Sequence, residues 1–145
     1  VLVLFLAVVM GVGLVIGTQS PPGEWYRDLQ KPVFNPPNWI FPPVWTVLYL
    51  FIAVAGWRTY AIAPRSRAMV FWAAQMLLNW LWSPVFFTLH LIWPAFAIIV
   101  LLFLTIAAFI GDRWNTDRLS AVLFCTYAAW VGFAALLNGA IGVLN

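Results

Sequence analysis

Between Ala68 and Gly111 the chain runs for 44 residues without one Asp, Glu, Lys or Arg. A single straight helix of that length would measure about 66 Å, twice the ~30 Å hydrocarbon thickness of a bilayer. The run therefore has to reverse. The stretch "HLIWP" (90–94) supplies the reversal, because Pro94 suits the first turn of a new helix and not the interior of an old one. This predicts helices over about 68–90 and 93–111.

The same reasoning divides the rest. Residues 1–23 are uncharged and give a first helix over about 1–19, read as a retained span because it has neither a basic leader nor an A-x-A cleavage site. The prolines at 36, 37, 42 and 43 hold off the second helix, which runs over about 43–62. A fifth follows "GDRWNTDR" over about 117–141, with Thr116 or Asp117 as its cap. With 65% hydrophobic and 8% charged residues, the chain falls far below the quarter of charged residues typical of soluble domains. The expected fold is all-α: one membrane domain over 1–145, a bundle of five transmembrane helices, with a loop at about 20–42.

Charge sets an expected orientation. Arg58, Arg65, Arg67, Arg113 and Arg118 fall on one side, Arg27 and Lys31 on the other. Five against two places the N terminus inside and the first loop outside, in a bacterial cell membrane. The net charge of +3 has no basic run to follow a phosphate backbone, which argues against nucleic acid as a partner. The lone Cys125 excludes an internal disulfide, and no metal site or cofactor is expected. The span interiors carry no charge, unlike ion-coupled pumps, and no internal repeat marks an inverted-repeat transporter.

The informative residues are therefore amides, hydroxyls and ten Trp. Trp25, Trp57, Trp72, Trp93 and Trp114 lie near helix ends and read as interfacial anchors. Gln75, Asn79, Trp82 and Phe86 are spaced 4, 3 and 4 and share one helix face; Tyr127, Trp130, Ala134 and Asn138 do the same at 3, 4 and 4. Trp45 and Tyr49 are one turn apart. Amides in lipid need partners, so these faces should point inward. Helical rise puts Asn79 about 17 Å into its span and Trp130 about 18 Å from the surface near Arg118, in the half of the membrane beneath residues 24–42. The stretch "WYRDLQKPVFNPPNWIFPPVW" (25–45) is then either a stiff lid or a structural clasp, its prolines lowering the entropy cost of order. A cavity lined by Trp39, Trp45, Tyr49, Trp82, Phe86, Tyr127 and Trp130, with Asn79 and Asn138, would suit a flat, largely apolar ligand. Solid packing of the same aromatics is the competing reading.

Three blocks, "WYRDLQKPVFNPPNWIFPPVWTVLY" (25–49), "AQMLLNWLWSPVFF" (74–87) and "TYAAWVGFAALLN" (126–138), resemble the translocator protein family, also called TspO/MBR or tryptophan-rich sensory proteins. The resemblance implies a five-helix bundle, usually a homodimer, that binds porphyrins and in many members sterols and benzodiazepine-type aromatic ligands. By position it points to Trp39, Trp45, Tyr49, Asn79, Trp82, Phe86, Phe87, Tyr127, Trp130, Ala134 and Leu137. Bacterial members are linked to tetrapyrrole regulation or breakdown, which makes Trp45 and Trp130 the catalytic candidates. Two departures stand out. Phe34 occupies a position where the family often has Trp, and no Tyr, Lys or Arg follows Trp130, so the family's cholesterol pattern is missing. This favours tetrapyrrole over sterol.

Three functions stay open: a tetrapyrrole receptor, sensor or carrier; an enzyme that degrades porphyrin oxidatively or in light through Trp; and a membrane scaffold. The spans hold no conventional acid–base, nucleophilic or metal constellation. His90 is expected to be a solvated interfacial residue and not a haem ligand. Gly13 and Gly17, and Ala73 with Ala74, offer small patches for close helix approach in a dimer.

Overall fold

The computed structural model describes residues 1–145 and contains helices and no strands. Five helices are long and apolar enough to cross a bilayer. They are α1 (Leu2–Gln19), α3 (Phe41–Ile62), α4 (Arg67–Ser83, continued by a wide π-turn over Pro84–Thr88), α5 (Ile92–Arg113) and α6 (Arg118–Leu144). A short α2 (Glu24–Asp28) and a 3₁₀ turn (Asn38–Ile40) lie in the connection after α1, where the sequence suggested no helix. The helices pack in a ring in the order α1, α3, α6, α5, α4, closing on α1. The protein is an integral membrane protein with five membrane-spanning helices.

Pro84 explains the π-turn. Its ring cannot continue the regular ladder, and the chain answers with i→i+5 bonding, Leu89 N donating to Pro84 O at 2.9 Å. The reversal then passes through His90, whose φ of 60° makes it the one non-glycine residue with positive φ. His90 is exposed, as expected, but its ring also stacks on Trp25 at 4.2 Å between centroids.

The core runs along the ring's axis through Leu48, Ile52, Ile99, Leu102, Phe109 and Phe124, all buried. Large apolar residues such as Val70, Leu77, Leu101 and Leu136 are exposed on the outer faces, as a lipid-facing surface requires. Trp72, expected to be an interfacial anchor, is instead buried in this core. Its indole N–H donates to Ile52 O at 2.9 Å, and its ring lies across Gly56, where a Cβ would sit 2.6 Å from Trp72 Cζ2. Position near a helix end misled here, because the small face of Gly56 lets α4 approach α3 closely enough to cover the indole.

The end opposite the lid is closed by charge. Arg58 and Asp112 belong to α3 and α5 and not to connecting segments, so two spans carry charge in their last turns. Arg58 reaches Asp117, the residue before α6, through three hydrogen bonds of 2.9 to 3.2 Å, and Ser120 Oγ donates to the same carboxylate at 2.6 Å. Burial of Asp117 opposes its ionisation, but the bonds from Arg58 and Ser120 outweigh burial and hold the carboxyl below the usual carboxylate range. A depressed folded pKa stabilises the fold fully above the unfolded value of about 3.9, and the contribution fades as pH falls through the folded value.

Asp117→Asn should therefore cost about 2–4 kcal/mol, since it leaves the Arg58 guanidinium without its counter-charge. Thermal melting in detergent, followed by circular dichroism, should show that cost at neutral pH and a smaller gap from the wild type below about pH 3. Equal gaps at both pH values would remove Asp117 as a stabilising carboxylate.

Candidate functional site

Under the lid, three helices are tied together by side chains that lipid could not satisfy. Tyr49 OH (α3) donates to Asn79 Oδ1 (α4) at 3.2 Å, Asn79 Nδ2 donates to Tyr127 OH (α6) at 2.7 Å, and Tyr127 OH donates to Gln75 Oε1 (α4) at 2.8 Å. A second tie lies nearer the lid. Trp82 Nε1 donates to Asn138 Oδ1 at 3.0 Å, and Asn138 Nδ2 donates to Ile92 O, at the start of α5, at 3.0 Å. Each donor is left without water in such a place, so the partner fixes the spacing between helices.

Above the first tie opens a cavity of about 570 Å³, within the range of small-molecule sites. Its aromatic walls are Trp45 and Tyr49 from α3, Trp82, Phe86 and Phe87 from α4 and its π-turn, and Trp130 from α6. Trp82 stacks on Phe86 at 5.2 Å, and Trp45 meets Trp130 edge to face at 6.5 Å. The π-turn matters locally: it carries Phe86 and Phe87 round so that both line the cavity while packing on one another at 4.8 Å. No charged side chain stands in the wall.

Tyr26, Asn35, Asn38 and Phe41 of the proline-rich stretch roof the cavity, and the segment is a lid in that positional sense. Tyr26 is buried against Phe86 and Phe87, and its hydroxyl donates to Asn35 Oδ1 at 3.4 Å. Burial raises its pKa above the ordinary phenol value despite that bond, so it stays neutral. Lys31 lies 4.6 Å over the same ring. Phe34 leans on Phe133 of α6 at 6.2 Å, and Asn145 holds Gln30 through two bonds: Gln30 N donates to Asn145 Oδ1 at 3.1 Å, and Asn145 Nδ2 to Gln30 O at 2.9 Å.

Of the residues singled out in the sequence, Trp45, Tyr49, Asn79, Trp82, Phe86 and Phe87 line the cavity, as do Trp130, Ala134, Leu137 and Asn138. Two do not. Trp39 is 73% exposed: the 3₁₀ turn directs Asn38 and Phe41, three apart, to the cavity and leaves the intervening indole outside. Tyr127 is fully buried one turn below Trp130, sealed beneath Asn79 and packed on Phe124. It supports the floor and forms no part of the wall.

Asn79 and Asn138 are also less available than their position suggests, because oxygen and nitrogen of each amide are bonded to protein. Trp130 also lines the cavity, but its Nε1 is buried away from the opening and has no hydrogen-bond partner. The missed contribution comes from α1, whose Met10, Gly13, Leu14 and Gly17 close one side. Apart from Thr18 in the last turn, nothing aromatic or polar marks that face in the sequence. Gly13 is committed inside the chain, since a Cβ there would lie 2.5 Å from Tyr49 Cε2, whereas Gly17 has nothing within 4 Å. The pair thus faces the cavity, and its two glycines have different jobs.

Gly13→Ala should push the Tyr49 ring off Asn79 and destabilise the protein by about 1–3 kcal/mol, as overpacking does. Gly17→Ala should be neutral or gain up to about 1 kcal/mol from helix propensity. Melting midpoints of the two variants in one detergent check this, and equal effects would refute the internal role of Gly13.

Comparison with known proteins agrees with this architecture. The model of the TspO/MBR family matches residues 2–144. Protein CrtK of Rhodobacter capsulatus is 38% identical over 133 residues, covering 89% of this chain and 83% of its own. The tryptophan-rich sensory protein of Cereibacter sphaeroides is 37% identical over 128 residues, covering 88% and 81%. The human translocator protein is 31% identical over 138 residues, covering 88% and 80%. A five-helix membrane bundle matched by the family model from end to end, this chain belongs to the TspO/MBR family.

Proposed function

We propose that the protein is a membrane receptor or carrier that binds porphyrin-type tetrapyrroles in the cavity beneath the lid. The observation that carries this reading is the cavity itself: about 570 Å³ between aromatic walls, held open by amides already committed to the protein. A flat macrocycle gains from stacking and edge contacts with Trp45, Trp82, Phe86 and Trp130, each worth about 0.5–1.5 kcal/mol beyond burial. Asn35 and Asn38 stand at the lid side, where the carboxylates of such a ligand would keep access to water. The names of the relatives, a sensory protein and a translocator, agree with a protein that responds to or passes on a ligand. Sterols and drug-like aromatic compounds fit the apolar wall as well, but the segment after Trp130 offers them no Tyr, Lys or Arg.

A second reading rests on the Trp45–Trp130 pair, two indoles edge to face at 6.5 Å in one wall. In this reading either ring gives an electron to the excited porphyrin, leaving an indole radical cation and a porphyrin radical anion, and dioxygen is the oxidant that then opens the macrocycle. If so, illuminating the protoporphyrin IX complex in air yields a new bilin-like absorption that Trp45→Phe or Trp130→Phe abolishes while binding persists. An unchanged pigment leaves binding alone.

Binding is checked by titrating protoporphyrin IX into the purified protein and following Trp quenching. Trp45→Ala should weaken binding by about tenfold, the equivalent of ~1.4 kcal/mol. Asn79→Ala should weaken it similarly by releasing Tyr49 and Tyr127 from their positions. Trp114→Ala, exposed at the far end, should have no effect. Three equal responses would mean the ligand sits elsewhere.

A further inference from the structure

We propose that the cavity is loaded sideways, from the bilayer leaflet on the lid side, through a gap between α1 and α3. The inference rests on the cavity being a ligand site, and it adds the route and therefore the physical class of ligand: an amphiphile that first dissolves in lipid.

The gap follows from how the two helices meet. They touch where Gly13 accepts the Tyr49 ring, a contact too close for any Cβ. One turn nearer the lid the opposite holds, because Gly17 lines the cavity yet has no atom within 4 Å of where its Cβ would be. The neighbouring lining residues face outward as well. Leu14 is 69% exposed, and Pro42 and Thr46 on α3 are exposed, although all three border the cavity. A residue that lines a cavity and is also open to the surroundings marks its mouth. Leu14 lies five residues, about 7 Å, below the end of α1, so this mouth opens at the depth of lipid chains.

The lid's own attachments point the same way. Trp25 stacks on His90, Tyr26 packs on Phe86 and Phe87, Phe34 leans on Phe133, and Gln30 is clasped by Asn145. All of these anchors are on the α4 and α6 side of the ring. Lifting the lid would break them together, whereas passage between α1 and α3 breaks none. The chemistry of the mouth suits an apolar body travelling from hydrocarbon: Leu14, Gly17 and Pro42 offer no hydrogen-bonding side chain, and the Thr46 hydroxyl already donates to Pro42 O at 2.8 Å. A polar edge held at headgroup depth would travel past Thr18 and Asn38 and end under the lid.

The test reads access to the cavity without relying on a particular ligand. The full chain, carrying Cys125→Ala and Ser83→Cys, is reconstituted into phosphatidylcholine nanodiscs, Ser83 being a lining residue. Its thiol is labelled with a bilayer-dissolved pyrene maleimide or with a charged, water-soluble methanethiosulfonate. The bilayer reagent should react fast relative to its rate on a free thiol in the same lipid, and the charged one slowly. Adding Gly17→Phe should slow the bilayer reagent by about tenfold or more, and Leu14→Trp, which also narrows the mouth, should do likewise. Val15→Phe, on the exposed face away from the cavity, should leave the rate unchanged. If the charged reagent reacts freely and neither mouth variant slows the pyrene reagent, ligands enter past the lid from water and the lateral route is wrong. Protoporphyrin IX titrated into the same nanodiscs separates the two claims: absent quenching would remove the tetrapyrrole reading and leave the labelling pattern to decide the route.

Discussion

Everything at the cavity end depends on buried polar side chains that have to find one another because lipid offers them nothing. The relay from Tyr49 through Asn79 and Tyr127 to Gln75 ties α3, α4 and α6 at one level. The Trp82–Asn138–Ile92 relay ties α4, α6 and the start of α5 at another. In water such bonds would compete with solvent and contribute little net. In a membrane the alternative is an unpaired polar group in hydrocarbon, so the ties act as spacers of defined length. A cavity lined by aromatic rings would tend to collapse if packing alone set the distances between helices. Here the rings are hung on helices whose separation is set by hydrogen bonds.

The lid completes this arrangement through rigidity more than through strength. Its proline pairs at 36–37 and 42–43 limit the unbound chain, so little entropy is lost in holding it in place. Each of its contacts is individually modest: one stacked His–Trp pair, a phenol packed on two phenylalanines and an amide clasp. The stretch is one of three blocks that carry the family resemblance, and the structure gives a physical reason for its composition. Aromatic residues pack on the cavity's outer wall, and prolines keep the segment from forming a helix that would lift it away.

How much of this was legible beforehand differs by element. The five spans were readable because a lipid environment forces uncharged runs of helical length, and the 44-residue run admitted only a reversal near Pro94. The inward faces of α4 and α6 were readable because amides in lipid point to partners, and Asn79, Trp82 and Asn138 stand where their spacing put them. Trp39 and Tyr127 were misplaced for different reasons. A 3₁₀ turn has its own periodicity, which turned Trp39 outward, and depth along a helix cannot distinguish a wall residue from one sealed just below it. Trp72 was misread because the Gly56 notch that receives it lies on another helix. The contribution of α1 carried little signal: Gly13 and Gly17 stood out only as a small patch for helix approach, and a wall of glycine, leucine, isoleucine and methionine with one threonine differs little from a lipid-facing surface.

The two ends of the bundle are stabilised in different ways, and this bears on how the protein works. At the far end, Arg58, Asp117 and Ser120 form charge-assisted bonds, and Trp72 fills the notch at Gly56. Loss of either leaves a buried charge or a void, so local opening there is expensive. At the lid end, α1 leans on α3 through the Gly13–Tyr49 contact and then parts from it, with Gly17 facing open space. Local motion therefore has a preferred place: the lid-side half of α1 can shift outward at the cost of apolar contacts that lipid chains replace nearly in kind and of one side-chain bond, Thr88 Oγ1 to Ser20 Oγ at 3.1 Å. No hydrogen-bonded spacer is broken by that motion, because neither relay includes α1. A helix that lines the cavity but stays outside the network fixing its dimensions can move while the aromatic walls keep their geometry.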